Sequence, residues 1–279
     1  MVARGSDLSS LFLTFAYTFG MSGFDGEEFP NLGFRDDCTA AVRDIIKTDF
    51  STRVGRSVPT TDTVAQKDGA VYLDAVYLYA DMADSTGMAS HFTAQEAAKI
   101  IRAYLHAVSR VLRDRGGEIR SFDGDRVMAI FIGDDAADRA VDAGLRISWV
   151  VLKVVHEELK DHLDSYFTAW IEDDWRVRHR TGIDTGSALI VRAGVRGSND
   201  LVSIGSAPNI AAKLSDYKGG GTTIITEDVY EKLKYSNCYS KNSESSSGEI
   251  VSMWSPAHWK DVGGTYENIR TSTWFRPYA

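Results

Sequence analysis

Apolar and polar positions recur with clear periods from about residue 70 onward. Residues 71–80 are dense in Val, Tyr and Leu and predict a buried strand. Thr93, with Glu96 three residues later, is a capping-box signature for a helix start. The helix it opens carries Ala97, Ile100, Ile101, Tyr104, Leu105, Val108, Val111 and Leu112 on one face. Gly116-Gly117 closes it. Residues 118–122 and 127–132 read as short strands, joined through Asp123-Gly124-Asp125-Arg126 as a hairpin. Residues 136–163 form a long helical pattern, and 178–183 with 187–195 read as a second hairpin-like pair. A helix over 207–214, a strand over 222–226 and a short helix over 227–233 follow. Strands near 250–254 and 272–276 close the chain.

The first 69 residues lack this regularity. They hold Pro30, Pro59, turn-like segments at 60–63 and 67–69, and one amphipathic stretch over 38–50 with Ala41, Val42, Ile45 and Ile46 on one side. The expected organisation is an extension over 1–69 and a core domain over 70–279, with a serine-rich mobile loop at 240–249. The order strand, helix, hairpin, helix, strand predicts an α+β protein with a ferredoxin-like βαββαβ core and C-terminal additions. In that core the first strand lies beside the hairpin. Asp81, at the strand end, therefore comes near Asp125 at the hairpin tip.

Composition narrows the function classes. Lysine and arginine number 31 against 39 aspartates and glutamates, a formal charge of −8. That balance argues against nucleic-acid coating and against a basic membrane-surface binder. It leaves room for a small anion held by local cations. The two cysteines, Cys38 and Cys238, read as free thiols of a reducing cytoplasm. Residues 8–24 lack charge but are broken by Ser, Thr and Gly, and read as neither signal peptide nor membrane span.

Two carboxylates at adjacent strand ends repel each other unless a cation lies between them. Hard oxygen ligands suit Mg2+ or Mn2+, which also grip phosphate oxygens. The plainer alternative is that Asp81 ends a strand and Asp125 serves a turn. Asp84-Ser85-Thr86-Gly87 follows directly and can present N–H groups to phosphates; ordinary helix capping is the alternative there.

Four segments, in order, resemble those of the class III nucleotide cyclases. Tyr79-Ala80-Asp81-Met82-Ala83-Asp84-Ser85-Thr86 is similar to their FADIxGFT segment, and Gly116-Gly117-Glu118 through Gly124-Asp125 to GGExxxxxGD. Arg180-Thr181-Gly182-Ile183-Asp184-Thr185-Gly186 resembles RxGIHTG, and 204–214 resembles WGDTVNLAARL. The resemblance implies two metal ions, Mg2+ or Mn2+, on Asp81, Asp125 and the main-chain carbonyl of Met82. It implies in-line attack of a ribose 3′-hydroxyl on the α-phosphorus of a nucleoside triphosphate, with pyrophosphate leaving. Ser85, Thr86 and Arg180 would hold phosphates, Asn209 would orient the ribose, and Lys213 would serve the transition state. It further implies a homodimer with active sites at the interface, where one protomer gives the aspartates and the other gives Asn209 and Lys213. Lys260 is the candidate for a late triphosphate-binding lysine.

The chain departs from the purine cyclases at the base. Ser121 and Val202, the latter beside Ser203, stand where those enzymes read adenine or guanine with charged or polar side chains. Lys213 replaces an arginine, keeping the charge without its planar fork. Val58-Pro59-Thr60-Thr61-Asp62-Thr63-Val64-Ala65, Leu73-Asp74-Ala75, the Asp81 segment and Arg120-Ser121-Phe122-Asp123-Gly124-Asp125-Arg126 resemble the bacterial pyrimidine cyclases of Pycsar anti-phage defence. That resemblance implies UTP or CTP as substrate, cyclic UMP or cyclic CMP as product, and a separately encoded effector that the product activates. An adenylate cyclase of bacterial signalling and a nucleotide-binding fold without turnover are the alternatives.

Overall fold

A computed structural model describes residues 32–195, 197–241 and 249–278. The uncharged stretch 8–24 and most of the serine-rich segment 240–249 lie outside the described residues. The chain divides into two compact units, Met1–Asp49 and Phe50–Ala279. The described part of the first is a helix, α1 (Leu32–Lys47), which begins earlier than the amphipathic stretch suggests. Its Val42, Ile45 and Ile46 are exposed.

Among the described residues the second unit is built on a nine-stranded mixed sheet with helices on both faces, and β8 (Tyr239–Lys241) pairs with β9 (Ile250–Ser252) in a separate two-stranded sheet. Its two longest strands, β2 (Gly69–Ala83) and β5 (Arg178–Val195), run antiparallel in register from Ala70↔Val191 to Ala83↔Arg178. The hairpin of β3 (Glu118–Asp123) and β4 (Arg126–Phe131) lies beside β2, as the strand order predicts. On the other side of β5 come β7 (Thr223–Thr226), β11 (Tyr266–Ser272) and the edge strand β10 (His258–Asp261). A short strand, β1 (Ser51–Val54), pairs in parallel with the start of β2. Val58 and Val64 are buried in the same apolar cluster as Val71 and Leu73. Residues 50–69 therefore pack with the sheet, and the compact unit starts some twenty residues before the expected boundary at residue 70.

One face of the sheet carries α2 (Ala94–Asp114) and α3 (Ala136–Val150). The capping box forms: Thr93 Oγ1 accepts from the Glu96 N–H at 3.3 Å, and the Glu96 carboxylate accepts from the Thr93 N–H at 2.9 Å. The long pattern over 136–163 is not one uniform helix. A π-helical turn at Val151–Val155 separates α3 from α4 (His156–His162), and α5 (Asp164–Asp173) adds a further helix. The other face carries α6 (Ser206–Ser215).

The expected hairpin within 178–195 is corrected. That segment is one continuous strand, and the turn comes at its end, where β6 (Ser198–Ile204) folds back onto it. Gly182 and Gly186 resemble turn residues but serve close packing. A Cβ on Gly182 would stand 2.2 Å from the Ala211 carbonyl oxygen, and one on Gly186 would stand 3.3 Å from the Ala207 Cβ. The glycines let α6 lie directly on β5. The last strand also sits earlier than expected, at β11 rather than 272–276. Cys38 and Cys238 are both free.

Candidate active site

Side chains alternate along β2. Val76, Leu78, Ala80 and Met82 enter the apolar core under α2 and α3, while Tyr77 and Tyr79 face α6. Asp81 therefore emerges on the α6 face, at the strand end. Asp125 sits in the β3–β4 turn next to it, and Oδ2 of Asp125 is buried without a hydrogen-bond partner. Arg126 opens β4, and its Nη2 donates to Asp81 Oδ2 at 3.0 Å and to Asp216 Oδ1 at 2.6 Å. Asp216 directly follows α6. Arg180 lies opposite Asp81 on β5, and its Nε is buried and unpartnered. Met82 buries its side chain in the core, so only its main chain is available to the site. Beyond β2, Asp84 takes a left-handed conformation with φ 62° and starts the tight turn Ser85–Ser90, which carries the exposed Thr86.

Ser121 reaches the same face through a β-bulge. Ile119 pairs with Ala129 but Ser121 pairs with Met128, so the ladder gains one residue at Arg120. An unbroken register would place Ser121 opposite Val127, facing the α2 core. The bulge turns it toward the row that contains Met128 and Tyr79.

Of the remaining expected residues, Val202, Ser203 and Lys260 lie away from Asp81 within one chain. Asn209 and Lys213 are exposed on the outer side of α6, while Ala207, Ala211 and Leu214 pack inward. Lys213 Nζ donates to the Gly263 carbonyl at 2.7 Å. Ser203 pairs with Ile190, ten residues along β5 from Arg180, about 33 Å of extended strand. Val202 is exposed and pairs with Val191. Lys260 is on β10, four strand spacings from β2, about 19 Å across the sheet.

No protein-family model matches the chain. A uridylate cyclase of Rhodovulum sp. (strain MB263) is 37% identical over 88% of this chain and 99% of its own length. One from Xanthomonas perforans is 34% identical over 87% of this chain and 98% of its own. One from Burkholderia cepacia is 40% identical over 72% and 79%. The chain belongs to the uridylate cyclase family. Solved structures give the same fold at lower identity. The guanylyl cyclase Cya2 superposes with a TM-score of 0.58 at 18% identity, over 74% of this chain and 94% of that one. The adenylyl cyclase CyaB from P. aeruginosa gives 0.56 at 19% identity, over 74% and 97%. The protein is thus a nucleotide cyclase with the mixed α+β fold of the class III enzymes.

The electrostatics at the cyclase's strand end are unbalanced. Burial pushes the Asp81 carboxyl up to about 6; the hydrogen bond from Arg126 opposes this, and the charge of Asp125 adds to it. The residues fit a divalent cation. Two carboxylates and a main-chain carbonyl form an all-oxygen donor set, and one carboxylate oxygen is buried with nothing to accept from. Among the described residues no cluster of three or more Asp, Glu, His or Cys could hold a metal. A cation here would complete its shell from phosphate oxygens and water, the habit of Mg2+.

Arg126 stands within a motif that assigns it no role, and no pattern in the sequence singles out Asp216. Arg126 directly follows Asp125, so its proximity was readable. Asp216 is 90 residues further on and reaches Arg126 only because α6 packs on Gly182.

Proposed function

We propose that this cyclase converts UTP to 3′,5′-cyclic UMP and pyrophosphate, with CTP and cyclic CMP as the second choice. Its relatives' names support uridylate. The catalytic assignment rests on one observation: the buried, unpartnered oxygen of Asp125 beside the half-buried Asp81.

Asp81, Asp125 and the Met82 carbonyl would hold Mg2+ or Mn2+. Such cations supply Lewis-acid activation of a hydroxyl and neutralise phosphate charge. Arg180, fixed beside Asp81 by the β2–β5 register, takes a phosphate of the substrate, and the turn at Ser85 and Thr86 bounds the same end of the site. Asn209 orients the ribose and Lys213 offsets charge on the transferring phosphorus. The 3′-oxygen bonds to the α-phosphorus and its proton passes to water. The bond to the bridging oxygen breaks, and pyrophosphate leaves with the electron pair. Asn209 and Lys213 face outward from α6, which supports a homodimer in which each serves the partner's aspartates. Ser121, re-aimed by its bulge, faces the base. The cyclic product acts as a messenger to a separate effector in anti-phage defence.

Incubation with each of the four nucleoside triphosphates and Mn2+, with products resolved by mass spectrometry, tests the reading. Cyclic UMP as the main product supports it, and cyclic AMP alone overturns it. Asp81→Ala and Asp125→Ala should abolish the product. Retained activity in both would remove the site assignment.

A further inference from the structure

A cavity of about 290 Å3 lies where the π-helical turn at Val151–Val155 passes the start of β5. Ala83 and Arg180 belong to its wall, so it adjoins the candidate site, but neither Asp81 nor Asp125 lines it. Val151, Leu152, Val177 and Phe275 give it an apolar side. Among the described residues no Asp or Glu lines it, whereas Arg176, Arg178 and Arg180 all do. In a chain of net charge −8 this is a local concentration of positive charge.

Most polar groups on the wall are already engaged. Ser148 Oγ donates to the Gly144 carbonyl at 3.2 Å and lies 3.3 Å from His179 Nε2 and 3.0 Å from Thr222 Oγ1. Arg178 is paired with Asp174 at 3.0 Å. Arg180 is the residue assigned above to the substrate. Two donors remain. One is Arg176, which makes no hydrogen bond or ion pair with any described residue. The other belongs to His156, which also lines the cavity. Tyr166 Oη accepts from the Val177 N–H at 3.0 Å, so its own proton goes to His156 Nδ1, 2.8 Å away. That network makes Nδ1 the acceptor and assigns the imidazole proton to Nε2. Burial lowers the pKa of the ring, which keeps it neutral. The π turn is a further pointer, because such turns are rare and found mostly at functional sites. Here it sets Val151 and Leu152 into the wall just before His156.

We propose that this cavity binds a small organic carboxylate, with an apolar body of one ring's size against Val151, Leu152, Val177 and Phe275 and its carboxylate on the Arg176 guanidinium and the Nε2–H of His156. A guanidinium matches a carboxylate in a two-bond fork. The volume stands at the lower end of small-molecule sites, which suits a ligand of this size. The site goes beyond the cyclase reaction and does not depend on which residues hold the cation.

Benzoate is the probe, titrated by calorimetry into the full chain without nucleotide or divalent cation. It should bind once per chain with a dissociation constant of about 1 mM or below, ordinary for a ligand of its size. Benzyl alcohol keeps the ring without the charge, and inorganic phosphate keeps charge without the ring. Each should bind at least roughly tenfold more weakly. Arg176→Gln should weaken benzoate binding by a similar factor and leave the unfolding midpoint level, because the guanidinium has no protein partner to lose. Leu152→Trp, which fills the cavity, should remove binding; if that variant unfolds, Arg176→Gln decides. Asp125→Ala should bind benzoate like the unaltered protein. The proposal is overturned by absence of saturable benzoate binding, by unchanged binding in Arg176→Gln, or by benzyl alcohol or phosphate binding as tightly as benzoate. Loss of benzoate binding in Asp125→Ala would place the anion at the candidate active site and overturn it too. Turnover of the Asp81 and Asp125 variants is measured separately, so either reading can fail alone.

Discussion

Asp81 and Asp142 are alike in burial and opposite in electrostatics. Their side chains are 17% and 13% exposed. Asp142, on α3, accepts from Arg115 at 3.2 Å, from Arg146 at 2.8 Å and from Arg276. Burial pushes its carboxyl up, but the hydrogen bonds from Arg146 and Arg276 outweigh this and hold it below 3.8. Asp81 has one arginine, shares that arginine's Nη2 with Asp216, and faces Asp125. Its carboxyl ends at about 6. The difference is the number of cations per carboxylate. Around Asp142 the charges close into a knot that ties the C-terminal segment, through Arg276, to α3. Around Asp81 they leave excess negative charge, which a divalent cation would offset.

The comparison breaks first at Asp81. Asp81→Asn should lower cyclase turnover roughly a thousandfold or more, as expected when about 4 kcal/mol of charge stabilisation is lost. The unfolding midpoint without cation should not fall. A variant that unfolds instead would make Asp81 a structural charge like Asp142.

Gly182→Ala comes next. The added Cβ meets backbone, not a flexible side-chain end, so α6 must lift from β5. Overpacking of this kind costs about 1–3 kcal/mol, and here the upper end is expected. Because α6 carries Asp216, the same change should loosen the second anchor of Arg126. Urea unfolding measures the loss, and an unchanged midpoint would mean that the helix does not rest on this glycine.

Asp142→Asn should have the reverse effect to Asp81→Asn, costing about 2 kcal/mol of stability with turnover of the folded enzyme preserved. The pH dependence follows from its depressed folded value. The carboxylate's contribution is fully present above the unfolded value near 3.8 and is lost as pH falls through the folded one. The gap in unfolding midpoint between the two proteins should hold from pH 8 to about 5 and shrink below about 4. A gap that widens on acidification would contradict the arginine knot.

How much of this was legible in the sequence depends on how local the cause is. Asp81 and Asp125 are 44 residues apart, yet strand order alone puts them together. The capping box at Thr93 and the turn at Gly124 are equally local. The continuity of β5 was not legible, because Gly182 and Gly186 carry turn chemistry and only the packed helix shows their other use. Ser121 was picked out by its motif position, but the bulge that aims it depends on pairing with β4. Asp216 depends on the same α6 packing, and its link to the site is wholly tertiary. Ser203 and Lys260 remain separate from Asp81 within one chain, and Asn209 and Lys213 are exposed on α6, so their expected roles depend on a partner protomer or on chain movement.

The smallest expected effect concerns Asp216, and it tests why Asp81 stays under-compensated. Asp216 is 57% exposed, so Asp216→Ala should change stability by less than about 1 kcal/mol. Its effect on cation binding should be clearer. The Arg126 Nη2 now divides its hydrogen bonding between two carboxylates, 3.0 Å from one and 2.6 Å from the other. Without Asp216 it turns wholly to Asp81 and competes with an incoming cation. Mn2+ binding should weaken by a few-fold, measured by calorimetry on the full chain. Loss of a nearby negative charge predicts the same sign, so the second arm is Arg126→Gln in the Asp216→Ala background. If Arg126 is the competitor, the double variant binds Mn2+ more tightly than Asp216→Ala alone and closes most of the gap. If the two losses simply add, Arg126 does not restrain Asp81, and the contrast with Asp142 reduces to a difference in net charge.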